Sequence, residues 1–166
     1  MDEADGPGET DGTGEAGIYA RAIPHLDRTV QVGVAGGRVI SVSFPRDPDP
    51  GSRRDHEILD RIEAYLADDP TDLGDVTVAL TVPTDRRAVL EALRSVPRGE
   101  TITVEGLARM TPGLDADDAE DRETVRRALR ENPVPLLVPD HRVSGGPGAT
   151  PDDVAERLRE IEGIAA

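Results

Sequence analysis

Apolar and polar residues alternate in two short stretches of the first half. Val30, Val32 and Val34 fall on one face of residues 29–34, and Val39, Val42 and Phe44 carry residues 38–44. Ala35-Gly36-Gly37 supplies turn residues between them, so the pair predicts a β-hairpin. Residues 45–54 (PRDPDPGSRR) read as a loop. From His56 to Asp68 the period changes: Ile58, Leu59, Ile62, Tyr65 and Leu66 recur at helical spacing and predict an amphipathic helix. Residues 75–82 (DVTVALTV) alternate again and predict a third strand, stopped by Pro83.

Beyond Pro83 the pattern turns helical. A helix is expected from a Thr84 cap through Val96, with Val89, Leu90, Leu93 and Val96 as its stripe and Pro97 as its stop. A short extended link leads to Thr103, which caps a brief helix carrying Leu107 and Ala108. The acidic run Leu114 to Asp121 opens into a helix at 120–131 with Val125, Ala128 and Leu129 inward, ended by Asn132-Pro133. Leu136-Leu137-Val138 is expected to be extended. After a Gly-rich turn comes a last helix, with Thr150 as cap, Pro151 at its first position and Val154, Leu158 and Ile161 buried. The fold class is α+β. A strand-rich module at 17–83 is followed by a helical unit at 84–166, in which the two adjacent short helices suggest a helix-turn-helix.

Composition narrows the function classes. Residues 1–16 carry six acids, four glycines and no base, the composition of a disordered tail. The tail resembles neither a secretory signal nor a transit peptide, and no apolar run reaches membrane-spanning length. A cytoplasmic monomer with no membrane contact is therefore expected. The absence of cysteine excludes disulfides, thiolate metal sites and thiol nucleophiles. His25, His56 and His141 are too scattered for a metal site, so no metal and no cofactor is expected. The 34 acidic residues face 19 basic ones, every one of them Arg, for a net charge of −15. A Lys-free acidic surface suits a halophilic, salt-rich cytoplasm, where charge repulsion is screened and the counterion-release drive for DNA binding is weak. Net charge alone neither requires nor excludes a nucleic-acid partner.

The segment ENPVPLLVPDHRVSGG, 131–146, resembles the active-site run N-P-x-x-x-x-x-P-C-H-R-V of the alkylguanine-DNA alkyltransferase (methylated-DNA–protein-cysteine methyltransferase) family. VLEALRSVPRGETITVEGLA (89–108) and Ile161-Glu162-Gly163 resemble flanking family segments, so the resemblance covers about 84–163. It implies a winged-helix-like DNA-binding domain with its helix-turn-helix at 103–131. In DNA repair, such a domain rotates an alkylated guanine out of the duplex and transfers the alkyl group to a cysteine thiolate. By position, His141 matches the histidine that generates the thiolate through water, Glu162 the glutamate that holds it, and Asn132 the asparagine that ties the recognition motif to the site.

Several positions depart from that pattern. Asp140 stands at the acceptor position, and a carboxylate is a hard, weak nucleophile that leaves His141 nothing to activate. Val104 replaces a Tyr that helps swing the nucleotide out, and Glu123 replaces the Arg that fills the gap in the base stack. The stretch before Thr150 lacks the loop that closes over the guanine. The turn between the recognition helices is longer and carries Asp115, Asp117, Asp118, Glu120 and Asp121. Arg122, Arg126, Arg127, Arg130 and Arg142 are candidates for DNA contact, with intrahelical ion pairs as the alternative for the four on the helix and backbone carbonyls or a carboxylate near the site as the alternative for Arg142.

Three readings of function stand at this point. One is an alkyltransferase-like protein without alkyl transfer, retaining some recognition of double-stranded DNA or alkylguanine. Another is an acidic interaction or structural module that binds a protein partner and has left DNA. A third has Asp140 accept an alkyl group as an ester.

Overall fold

A computed structural model describes residues 16–67 and 73–164. The expected tail lies outside these residues except for Ala16, which opens a strand. Strands β1 (Ala16–Ile23), β2 (Arg28–Ala35) and β3 (Arg38–Ser43) form an antiparallel sheet in that order, and the 3-10 turn Pro24–Leu26 joins the first two. Strands β2 and β3 are the expected hairpin. Gly36 and Gly37 take φ of 59° and 77°, which only glycine adopts at no cost, and this left-handed pair suits the sheet's twist. Strand β1 was not expected, because AGIYARAI has small residues where a regular apolar alternation would signal a strand.

Residues 75–82 are not the expected third strand. They meet β3 at one parallel bridge, Val39 with Val78, through Val39 N to Thr77 O (3.0 Å) and Ala79 N to Val39 O (3.0 Å). The alternation is real, but among the described residues no further strand lies beyond to continue a ladder.

Helix α1 (Glu57–Leu66) buries the expected stripe. His56 caps it, its Nδ1 accepting from Ile58 N at 3.0 Å. Helix α2 (Thr84–Leu93) is capped by Pro83 and stops one turn before Val96. Two-residue strands β4 (Ile102–Thr103) and β5 (Val143–Ser144) pair in parallel. Thr103 caps α3 (Val104–Met110) through Gly106 N at 3.0 Å, and Asp118 caps α4 (Ala119–Arg130). The last helix, α5, spans Asp152–Glu162, with Pro151 at the cap and not inside. Thr150 therefore does not cap it.

One apolar core runs through both halves, from Val30 and Val32 through Tyr65 and Leu90 to Leu107, Leu129 and Leu158. Burying each such side chain contributes about 1.5–3 kcal/mol. Val42 N donates to Pro133 O at 2.9 Å, so the sheet seats the loop that follows α4.

Candidate functional site

Helix α4 ends at Asn132-Pro133, and the Asn132 side chain organises the loop that follows. Its Oδ1 accepts from Val134 N (3.0 Å), while Nδ2 donates to Val138 O (3.0 Å) and to Asp140 Oδ2 (3.1 Å). The amide draws residues 132–140 into a closed turn, further tied by Val138 N to Val134 O at 2.9 Å. Leu136 takes a φ of 78° inside this turn, so 136–138 bends where extended chain was expected. The left-handed conformation costs a branched residue energy that the buried contacts of Leu136 offset.

Asp140 begins a single 3-10 turn, Asp140–Arg142, and is only 3% exposed. Its carboxylate accepts from Asn132 Nδ2, from Ala149 N (2.8 Å) and, at Oδ1, from Thr150 Oγ1 (2.5 Å). Three donors suit a buried acceptor-only group. The strap 145–150 lies directly on it: a Cβ added at Gly148 would stand 3.1 Å from Asp140 Cγ. At the strap's other side a Cβ added at Gly146 would stand 3.0 Å from Val104 Cγ2. The strap thus bridges Asp140 and Val104, the two positions that the sequence resemblance matches to the family's acceptor and base-moving Tyr, and Val104 itself is buried in the core.

The next two residues belong to a separate buried network. His141 Nε2 lies 2.8 Å from Glu162 Oε2, the pairing expected from the sequence, and both side chains are fully buried. His141 Nδ1 has no hydrogen-bond partner among the described residues. Arg142 is 5% exposed, so it does not face a ligand surface as the DNA-contact expectation requires. Its Nε donates to Glu162 Oε1 (2.9 Å), Nη1 to Val96 O (2.6 Å), and Nη2 to Tyr65 Oη (2.7 Å) and Glu162 Oε2 (3.1 Å). A five-donor guanidinium, unlike an ammonium, ties α1, α5 and the turn after α2 together at one point. Tyr65 Oη also donates to Glu162.

Burial opposes the charge on Glu162, but the hydrogen bonds from His141 and Arg142 outweigh it and hold the carboxyl far below the usual range. Burial, with Glu162 alongside, pushes the Tyr65 phenol well above its ordinary value. Burial disfavours charge on Arg142 too, and its pairing with Glu162 more than compensates. The role of Tyr65 was not read from the sequence. The available signal was a phenol on the apolar stripe of α1, where a buried hydroxyl requires a partner.

The four arginine candidates of the helix-turn-helix all lie on α4, and none of them is among the hydrogen-bond partners of Asp140. Arg122 Nη1 donates to Ala116 O at 2.8 Å, holding the acidic turn. Arg130 Nη2 pairs with Glu123 Oε2 at 2.6 Å, and Arg126 approaches Glu123 at 3.8 Å. The hydrogen bond from Arg130 holds Glu123 below its usual carboxyl range. Arg127 is exposed with no polar partner among the described residues. Asp118 accepts from Glu120 N and Asp121 N, and Asp121 accepts from Asp115 N, so the acids of this turn are engaged with the helix start. Among the described residues no group of three or more His, Cys, Asp or Glu is placed to hold a metal.

Residues 84–162 match the family profile described as 6-O-methylguanine DNA methyltransferase, DNA binding domain. Over 113 residues the chain is 30% identical to the methylated-DNA–protein-cysteine methyltransferase of Methanopyrus kandleri, covering 66% of this chain and 81% of that protein. In fold it is similar to a variant of the Mycobacterium tuberculosis O6-methylguanine methyltransferase, with TM-score 0.71, 23% identity, and coverage of 92% of this chain and 95% of the other. A structure of the Mycobacterium tuberculosis protein in complex with DNA superposes with TM-score 0.67 at 20% identity, covering 88% of this chain and 90% of that one. With no cysteine anywhere in its sequence, and with Asp140 where the acceptor stands, the chain belongs to the methylated-DNA–protein-cysteine methyltransferase family.

Proposed function

We propose that this member does not accept alkyl groups and does not admit an extruded base, and that its remaining engagement of double-stranded DNA through α3 and α4 is weak and indifferent to alkylation. The observation that carries this is the occupied and covered state of Asp140. Its carboxylate accepts three hydrogen bonds, and Gly148 of the strap packs against it. Transfer to Asp140 needs an accessible lone pair in line with the alkyl carbon, and base entry needs space where the strap lies; Asp140 is buried beneath it. Base extrusion also costs a few kcal/mol, which neither Val104 nor Glu123 offsets in the way a stacking Tyr or an intercalating Arg does. His141, whose Nε2 faces Glu162, serves the buried network and not an acceptor.

On this reading residues 84–166 form a winged-helix-like unit. The protein acts as a monomer in the cytoplasm of a salt-rich cell, in the company of DNA repair. Intact-mass spectrometry after incubation with O6-alkylguanine duplex tests it. No added mass is expected, and a stoichiometric adduct on Asp140 contradicts the reading and favours the ester chemistry.

A second reading, an acidic module that binds a protein partner and no longer binds DNA, is favoured by the Glu123–Arg130 pair and by the carboxylates gathered at the start of α4. Those groups occupy the helix end that otherwise attracts a phosphate. Absence of any duplex binding, alkylated or not, separates this reading from the first.

A further inference from the structure

Away from Asp140, a groove of about 420 Å³ lies between the extended segment at 78–81 and helix α2. Arg38, Arg87 and Arg94 line it against one carboxylate, Glu91. In a chain of net charge −15 this is a local excess of positive charge. Arg94 is anchored, donating to the carbonyls of Leu137, Leu73 and Val76 at 2.9–3.2 Å. Arg38 and Arg87 are exposed, and Arg87 makes only a long 3.4 Å contact to Thr84 Oγ1. The floor is also open. Beyond Ala79, whose amide pairs with Val39, the amides of Leu80 and Thr81 have no hydrogen-bond partner among the described residues.

The start of the chain emerges close by. Ala16 pairs with Ala35, and Ala35 pairs with Arg38, so β1 begins two strands from Arg38 at the same end of the sheet. At ordinary strand spacing that separation is about 10 Å, and fifteen residues can reach about 50 Å when extended. Residues 1–15 carry Asp2, Glu3, Asp5, Glu9, Asp11 and Glu15 and no basic side chain.

We infer that the acidic segment 2–15 docks in the groove of its own chain. Its carboxylates face Arg38 and Arg87, and its backbone lies along the open amides of Leu80 and Thr81. Tethering makes this pairing intramolecular, so a weak contact is held at high effective concentration. The contact loosens as salt rises, because both arginines are solvent-exposed.

The test uses the full chain and the absence of native cysteine. Thr10→Cys carries a single nitroxide, and amide signal loss is read along the rest of the protein. Loss confined to residues 78–81 and the start of α2 at low ionic strength is expected, with recovery in molar salt and in an Arg38→Glu/Arg87→Glu variant. Loss spread evenly over the surface, loss centred on α4, or loss unchanged by charge reversal overturns the proposal. Mixing spin-labelled chains with isotope-labelled, spin-free chains must give no such loss. The same pattern in that mixture identifies the tail of a second copy as the occupant and overturns docking within one chain.

Discussion

Thr150 donates its hydroxyl hydrogen to Asp140 Oδ1 at 2.5 Å, and so fastens the strap before α5 to the residue that stands at the acceptor position. Neither side chain is accessible enough for water to replace the other. Thr150→Val removes the donor while keeping the shape, and a hydrogen bond to a buried charged group is worth about 1.5–3 kcal/mol. Chemical denaturation in molar salt is expected to show a loss of that size. A change within experimental error contradicts the fastening.

Gly148 tests the same contact from the other side. A methyl group there meets the Asp140 carboxylate at 3.1–3.4 Å, closer than ordinary packing allows. Gly148→Ala is expected to destabilise by about 1–3 kcal/mol, the usual cost of overpacking a filled site. Gly51→Ala, at a loop position with ordinary space and no left-handed φ, isolates the backbone effect as the comparison.

Asp140→Cys is expected to restore little transfer. A thiol accepts hydrogen bonds poorly, so Ala149 N and Thr150 Oγ1 lose their partner and Asn132 Nδ2 keeps only Val138 O. Asp140→Asn keeps an acceptor for two of them and should be the more stable variant of the two. Rapid stoichiometric alkylation of Asp140→Cys by O6-alkylguanine DNA would show that the strap is no barrier.

Glu162 makes the fold acid-sensitive. Its folded carboxyl is held below the ordinary value of 4.5 by His141 and Arg142 against the cost of burial. Its contribution is therefore complete above the ordinary glutamate range and is lost as pH falls from there toward the folded value. Wild type is expected to lose stability on acidification more steeply than Glu162→Gln, the two curves converging at low pH. Parallel curves contradict the assignment.

How much of this was legible in the sequence depended on the kind of signal. The hairpin followed from valines alternating about Gly36-Gly37, and α1 from a full apolar stripe. Strand β1 was not legible, because Ala16, Gly17, Ala20 and Ala22 pack through backbone pairing and not through side-chain bulk. Residues 75–82 misled in the opposite direction: alternation reports burial on one face, but a ladder needs a partner along its length, and only Val78 has one. Thr150-Pro151 carries the signature of a capped helix start, yet Pro151 takes the cap and the Thr150 hydroxyl turns to Asp140. His141 and Glu162 were legible only through the family resemblance, since their separation of twenty-one positions hides their meeting from any local pattern.

Within α4, Glu123 pairs with Arg130 and draws Arg126 toward it, while Arg122 is held by the acidic turn and Arg127 is exposed. Glu123→Gln with Asp117→Asn spares the Asp118 cap and releases Arg130 and Arg126. Duplex affinity at moderate salt should rise. The salt dependence should steepen by about 0.9 in slope for each phosphate newly contacted. An unchanged slope shows that α4 does not face DNA.

The central claim, that a covered Asp140 leaves no room for an extruded base, is tested most directly by duplex binding at multimolar salt, with and without one O6-alkylguanine. Equal and weak affinity for the two duplexes is the predicted result. Tight binding with marked preference for the alkylated duplex contradicts the account, because that preference requires the strap to yield its place to the base.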